Sequence, residues 1–227
     1  MKKLIAFLKR SRNWLESDAF TAFLANPLRS LRDYESAGAR VVVIAVDVSP
    51  SMDLCDYRPT RLAGAKRAIQ RYLATLSRHE PETWVGLVVF HGEAELATHP
   101  LEVGSHQHEF GELLMRVHVG WGTNIGGALE LAGRELAGVC LTRNPTVILL
   151  TDGESNQGPD PVAIGNELKA RGVQLDIIGV GGSPAEVNEK DLKRIASVKD
   201  GQLRYWFIES ADSLVERFEA LALRKIG

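Results

Sequence analysis

The run Val41-Val42-Val43-Ile44-Ala45-Val46-Asp47-Val48-Ser49-Pro50-Ser51 decides how this chain folds. Its first six residues are all apolar and mostly β-branched, as in a strand covered on both faces. Such strands occur in parallel sheets flanked by helices. Asp47 ends the run. In near-extended chain every second side chain points the same way, so Asp47, Ser49 and Ser51 converge at the strand's C-terminal end. Open α/β sheets place their ligand sites at that edge, where the strand order reverses.

Working outward, elements of the two periods alternate. Leu62, Ala65, Ile69, Leu73 and Leu76 make one helical stripe over 61–77, with Thr60 as N-cap. A strand over 84–90 follows, then a turn at His91-Gly92 into a short strand over 94–98. The spacing predicts a helix over 108–116 and a longer one over 125–141. Strands over 147–151 and 173–179 enclose a helix at 161–171. A helix over 190–198, a last strand over 203–208 and a closing helix over 210–223, capped by Ser210, complete the pattern. This alternation predicts an α/β, doubly wound, mostly parallel sheet with helices on both faces.

Residues 1–38 differ from the rest. They carry a basic excess and clustered large apolar residues (Leu4, Phe7, Leu8, Phe20, Phe23, Leu24), with a break at Pro27. They read as an N-terminal helical extension of two short amphipathic helices, ahead of a domain over 39–227. Such helices can pack on the domain, dock a partner or lie on a membrane surface. The N-terminus starts like a signal peptide, but its apolar stretch is shorter than the about 7–15 residues of an h-region. No apolar run approaches the roughly 20 residues that cross a bilayer, and the expected location is cytoplasmic. Net charge is −2 at pH 7 and pI is near 6.3, so no bulk basicity marks a nucleic-acid binder. Two cysteines are too few for a disulfide framework: Cys140 reads as a core thiol and Cys55 as a free thiol in a polar loop.

Two further segments can reach the edge marked by Asp47. Gly120-Trp121-Gly122-Thr123-Asn124 opens the 125–141 helix, which sets Thr123 at the helix mouth. Leu149-Leu150-Thr151-Asp152-Gly153 ends a buried strand with a carboxylate. The candidate metal ligands are therefore Asp47, Ser49, Ser51, Thr123 and Asp152. All offer oxygen, which selects a hard cation: Mg²⁺ first, with Mn²⁺ or Ca²⁺ as substitutes. With only two charged ligands the ion keeps positive charge and an exchangeable position, suited to a carboxylate from outside.

These residues resemble the von Willebrand factor A family and its metal-ion-dependent adhesion site, whose pattern is Asp-x-Ser-x-Ser, a distant Thr and a later Asp. The runs 46–52, 122–129 and 149–154 carry the resemblance, which extends over roughly 40–223. It implies strand order 3-2-1-4-5-6 with a short antiparallel third strand, and a metal-dependent protein-binding module rather than an enzyme. It implies a partner presenting Asp or Glu, with MoxR-type AAA+ ATPases and multi-gene stress or defence systems as settings drawn by analogy. In several members a partner's engagement moves the C-terminal helix, here 210–223. Pro50, where the family usually has Gly, should stiffen the loop.

Tyr57, Arg58, Trp121, Glu154 and Asn156 border the same face and are the candidate partner contacts. Three other readings stay open. One is a Mg²⁺-dependent phosphatase or phosphotransferase using Asp47 as nucleophile, although Ser49 stands where that chemistry wants a second carboxylate. Another is a metal-independent scaffold. The third is zinc bound by His91, His99, His106, His108 or His118, which lack a known ligand spacing.

Overall fold

The computed structural model describes residues 39–137 and 145–224. Strand β1 (Val41–Asp47) is buried along its whole length. It pairs in parallel with β2 (Trp84–Phe90) on one side and β4 (Thr146–Thr151) on the other. β3 (Ala94–Glu102) runs antiparallel on the outer edge of β2. β5 (Gln174–Val180) and then β8 (Tyr205–Ile208) continue the sheet beyond β4. The order is β3-β2-β1-β4-β5-β8, so the chain reverses direction across the sheet between β1 and β4.

Burial on both faces explains the unbroken apolar run. Val42, Ile44 and Val46 share a core with Ile69, Leu73 and Leu76 of helix α1 (Arg61–His79) and Phe218 and Leu221 of helix α6 (Ala211–Ala222). The Tyr72 ring meets Phe218 edge-on, 5.8 Å between centroids. Val41, Val43 and Ala45 are equally buried and, by alternation, face the other way. There α3 (Ile125–Glu135) lies against β1 and packs on α4 (Pro161–Ala170). Each such aliphatic side chain contributes roughly 1.5–3 kcal/mol to the fold.

Helix ends follow local chemistry. The Thr60 side chain accepts from the Ala63 N–H, and that of Ser210 from Ser213. The 108–116 expectation corresponds to α2 (Gln107–Arg116).

Four expectations are corrected. β3 extends four residues beyond 98, because an edge strand tolerates Pro100 on its unpaired side. Gly86 opposite leaves room for it: a Cβ there would lie 3.3 Å from the proline ring. α3 stops at Glu135, where the Leu136 N–H bonds back to Ala132; Cys140 lies outside the described residues. Helix α5 (Glu189–Ile195) is shorter than 190–198, and the last strand begins at Tyr205. Between them β6 (Val198–Lys199) and β7 (Gln202–Leu203) form a hairpin through Asp200 and Gly201, both at positive φ. That is the backbone an Asp-Gly hairpin turn requires. The extension at 1–38 also lies outside the described residues. Among those described, no helix is long and apolar enough to cross a membrane.

Candidate metal centre

The parallel register that sets Val46 beside Leu150 makes Asp47 and Thr151 lateral neighbours at the C-terminal ends of β1 and β4. Thr151 Oγ1 donates to Asp47 Oδ2 at 2.6 Å, and the Ser49 N–H donates to Asp47 Oδ1 at 2.8 Å. Asp47 is fully buried. Its carboxylate is thus held in one orientation from two sides.

Pro50 opens a 3₁₀ turn, Pro50–Asp53, where its fixed φ fits and its missing N–H leaves nothing unsatisfied. The N–H groups of Met52 and Leu54 return to the carbonyls of Ser49 and Ser51, at 3.0 and 3.1 Å. The turn carries Ser51 across to the neighbouring strand end. Ser51 Oγ donates to Asp152 Oδ1 at 2.7 Å, and Ser49 Oγ lies 3.1 Å from Ser51 Oγ and 3.5 Å from the same carboxylate oxygen. A hydroxyl that gives its proton to a carboxylate keeps its lone pairs for another electrophile.

Thr123 sits on a neighbouring loop pinned at several points. The Gly120 N–H donates to Val48 O at 2.8 Å, tying the loop to the end of β1. Gly122 has φ +83°, a conformation that a side chain would strain. The Thr123 N–H donates to Asn156 Oδ1, and the Asn156 N–H returns to Thr123 O, both at 3.0 Å. Thr123 Oγ1 is the atom nearest a Cβ built on Gly153, at 3.9 Å. Asn124 caps α3 by accepting from Gly127 at 2.7 Å.

Arg61, the first residue of α1, is 3% exposed and touches three carboxylates. It pairs with Asp152 at 3.1 Å, Asp56 at 2.5 Å and Glu186 at 2.6 Å. Burial opposes its charge, but these partners prevail and shift its pKa upward. Burial also pushes Asp47 up to about 6, with the Asp152 charge adding to it and the Thr151 and Ser49 bonds opposing. Asp152 is raised as well, burial outweighing its Ser51 and Arg61 bonds. Burial thus disfavours ionisation of both carboxyls.

This donor set fits a hard divalent cation. Asp47 and Asp152 would supply charge to it, and Ser49, Ser51 and Thr123 neutral oxygens. Such an ion would offset the burial that raises both carboxyls, and the Asp152 charge that adds to it at Asp47. Two of the five candidate histidines are engaged elsewhere: His99 Nδ1 lies 2.7 Å from Glu135, and His106 Nδ1 lies 3.0 Å from Glu102 O. Among the described residues no three His, Cys, Asp or Glu side chains group as metal ligands, so the zinc reading finds no ligand set.

The candidate partner contacts divide. Trp121 is 85% exposed, and Arg58 and Glu154 are also exposed. Asn156 is exposed too, but its side chain and backbone are bonded to Thr123. Tyr57 is a correction: it is 1% exposed, and its hydroxyl donates to Ile208 O and accepts from the Gly181 N–H. Flanking Asp56 and Arg58 make the segment look solvated, yet the ring packs into the core.

Two residues of the site escaped the sequence reading. Thr151 was legible from the β1–β4 register, which sets it beside Asp47. Arg61 carried no local signal, because its partner Asp152 is 91 residues away.

An open doubly wound sheet with an oxygen-donor cluster where the strand order reverses defines the class. The chain belongs to the von Willebrand factor A family: the von Willebrand factor type A domain model matches residues 42–154. It is 29% identical to a UPF0353 protein of Mycolicibacterium paratuberculosis over 208 residues, 82% of this chain and 60% of that protein's length. The solved von Willebrand factor type A protein of Catenulispora acidiphila superposes with TM-score 0.71 at 24% identity, covering 83% of this chain and 43% of that one. The conserved hypothetical protein BatB of Bacteroides thetaiotaomicron does so with TM-score 0.65 at 26% identity, covering 80% and 96%. Domains of this family are generally protein-interaction modules and often metal-dependent.

Proposed function

We propose that the chain is a metal-dependent protein-binding module. One Mg²⁺-type cation, held by Asp47, Ser49, Ser51, Thr123 and Asp152, captures an Asp or Glu side chain of a partner. The observation that carries this reading is the Ser51–Asp152 hydrogen bond of 2.7 Å, which brings the loop after β1 onto the end of β4. Together with Asp47 it gathers two buried carboxylates and two hydroxyls from segments about a hundred residues apart. When bound, the cation supplies a Lewis-acidic position for an incoming carboxylate. This chain's residues orient the ligand oxygens, limit water and keep the two acidic groups in place.

Trp121 beside the centre supplies a rigid, exposed apolar contact that a docking protein can cover. The further setting, a cytoplasmic adaptor for a MoxR-type AAA+ ATPase, is a proposal by family analogy.

The test is affinity capture with the full chain in Mg²⁺ and in EDTA, for wild type and Asp47→Ala. Proteins held by wild type in Mg²⁺ should be lost under both changes. Identical capture in all conditions would leave a metal-independent scaffold.

A further inference from the structure

Arg61 stands outside the ligand set yet reaches into it. Its Nη1 donates to Asp152 Oδ2 at 3.1 Å. The rest of the guanidinium is fixed. Nε donates to the two Asp56 carboxylate oxygens at 3.0 and 2.9 Å, and Nη2 donates to Asp56 Oδ2 and Glu186 Oε2 at 2.5 and 2.6 Å. Glu186 closes the 3₁₀ turn Pro184–Glu186 and accepts from the Gly182 N–H at 3.2 Å. A planar fork engaged along its other edges cannot turn away from Asp152 without giving up those bonds. The second oxygen, Oδ1, already accepts from Ser51 at 2.7 Å. Each oxygen of Asp152 is thus engaged, Oδ1 by the serine hydroxyls and Oδ2 by the guanidinium, and both oxygens could face one cation only if the guanidinium were displaced.

We propose that Arg61 determines metal specificity. By holding Asp152 Oδ2 it denies this carboxylate two-oxygen ligation and tunes the centre toward Mg²⁺ over Ca²⁺. The inference rests on the metal-dependent reading above. Ca²⁺ accepts about six to eight oxygens and readily takes both oxygens of one carboxylate, whereas Mg²⁺ requires a near-ideal octahedron. A second consequence separates this role from simple charge balance. A buried positive charge beside the centre weakens both cations alike, so removing it strengthens both. Only control of ligation geometry changes the ratio between them.

The test is calorimetric titration of the full chain, stripped with EDTA and exchanged into chelator-free buffer, with MgCl₂ and with CaCl₂. In Arg61→Gln both affinities should rise, and the preference for Mg²⁺ over Ca²⁺ should fall about tenfold. Arg61→Lys keeps the charge but replaces the fork by a point contact, and its preference should fall about threefold. Glu186→Gln leaves the Asp56 and Asp152 bonds in place and should stay within about twofold of wild type. Circular dichroism establishes which variants are folded; should Arg61→Gln fail to fold, Arg61→Lys decides. A wild-type ratio in the folded Arg61 variants overturns the specificity role and leaves the metal centre standing. Wild type binding neither cation overturns the centre itself, and this inference with it.

Discussion

The two ends of the parallel sheet handle buried charge in opposite ways. At the N-terminal edge Arg204 meets Asp176 through two hydrogen bonds of 2.8 Å, with both side chains almost fully buried. Gln174 adds a third bond to the same carboxylate at 2.9 Å, and Arg204 and Arg217 each stack on Trp206, at 4.5 and 4.8 Å from the ring centroid. Arg40 pairs with Glu80 at 3.1 Å and caps Leu221 O. That end is closed: each carboxylate has its own guanidinium. At the C-terminal edge Asp47 is held by the Thr151 hydroxyl and the Ser49 N–H, with no guanidinium paired to it among the described residues, and Asp152 has to share Arg61 with Asp56 and Glu186. The same residue types make structure where they are matched and, at the proposed metal centre, are left available for a ligand where they are not.

The comparison can be broken from either end. The largest effect should come from Arg204→Met, which strands Asp176 in the core and should destabilise the fold by about 3–5 kcal/mol. Thermal unfolding should show this as a midpoint lower by roughly 10 °C, with Mg²⁺ affinity unchanged.

Acidity probes the open end. Asp47 ordinarily ionises near 3.8 and is pushed up to about 6 in the metal-free fold. A carboxyl raised on folding stabilises the fold when protonated; that contribution is complete below the unfolded value and is lost as pH rises through the folded one. In EDTA, Asp47→Asn should therefore be more stable than wild type at pH 7 by about 3 kcal/mol, and the gap should close below pH 4. A constant gap across that window would mean Asp47 is not strained.

Saturation with Mg²⁺ at about 100 times Kd should stabilise wild type by about 2.7 kcal/mol. The shift should vanish in Asp47→Ala and persist in Arg204→Met. The smallest change belongs to Trp121→Ala, which should alter stability by no more than about 0.5 kcal/mol while weakening capture of the Mg²⁺-dependent partner.

Much of this contrast was written in the sequence. The strand 41–47, the Asp47, Ser49, Ser51 alternation and the strand-ending Asp152 follow from period and chemistry alone. The strand order came from the family resemblance and is the observed one, apart from the two-residue strands of a hairpin that the Asp200-Gly201 pair could have announced. Tyr57 and Arg61 were hidden for one reason. Each depends on a partner brought near only by the finished fold, Ile208 for the tyrosine and Asp152 for the arginine. Polar neighbours in sequence report nothing about which side chains turn inward.

The paired bonds between Asn156 and Thr123 carry a mechanical consequence. Because one residue fastens both the amide and the carbonyl of Thr123, the loop after β4 and the loop before α3 form a single rigid yoke. A docking protein that pulls on Thr123 must also drag the segment following Asp152. The centre should therefore answer a load as one lever, without intermediate postures.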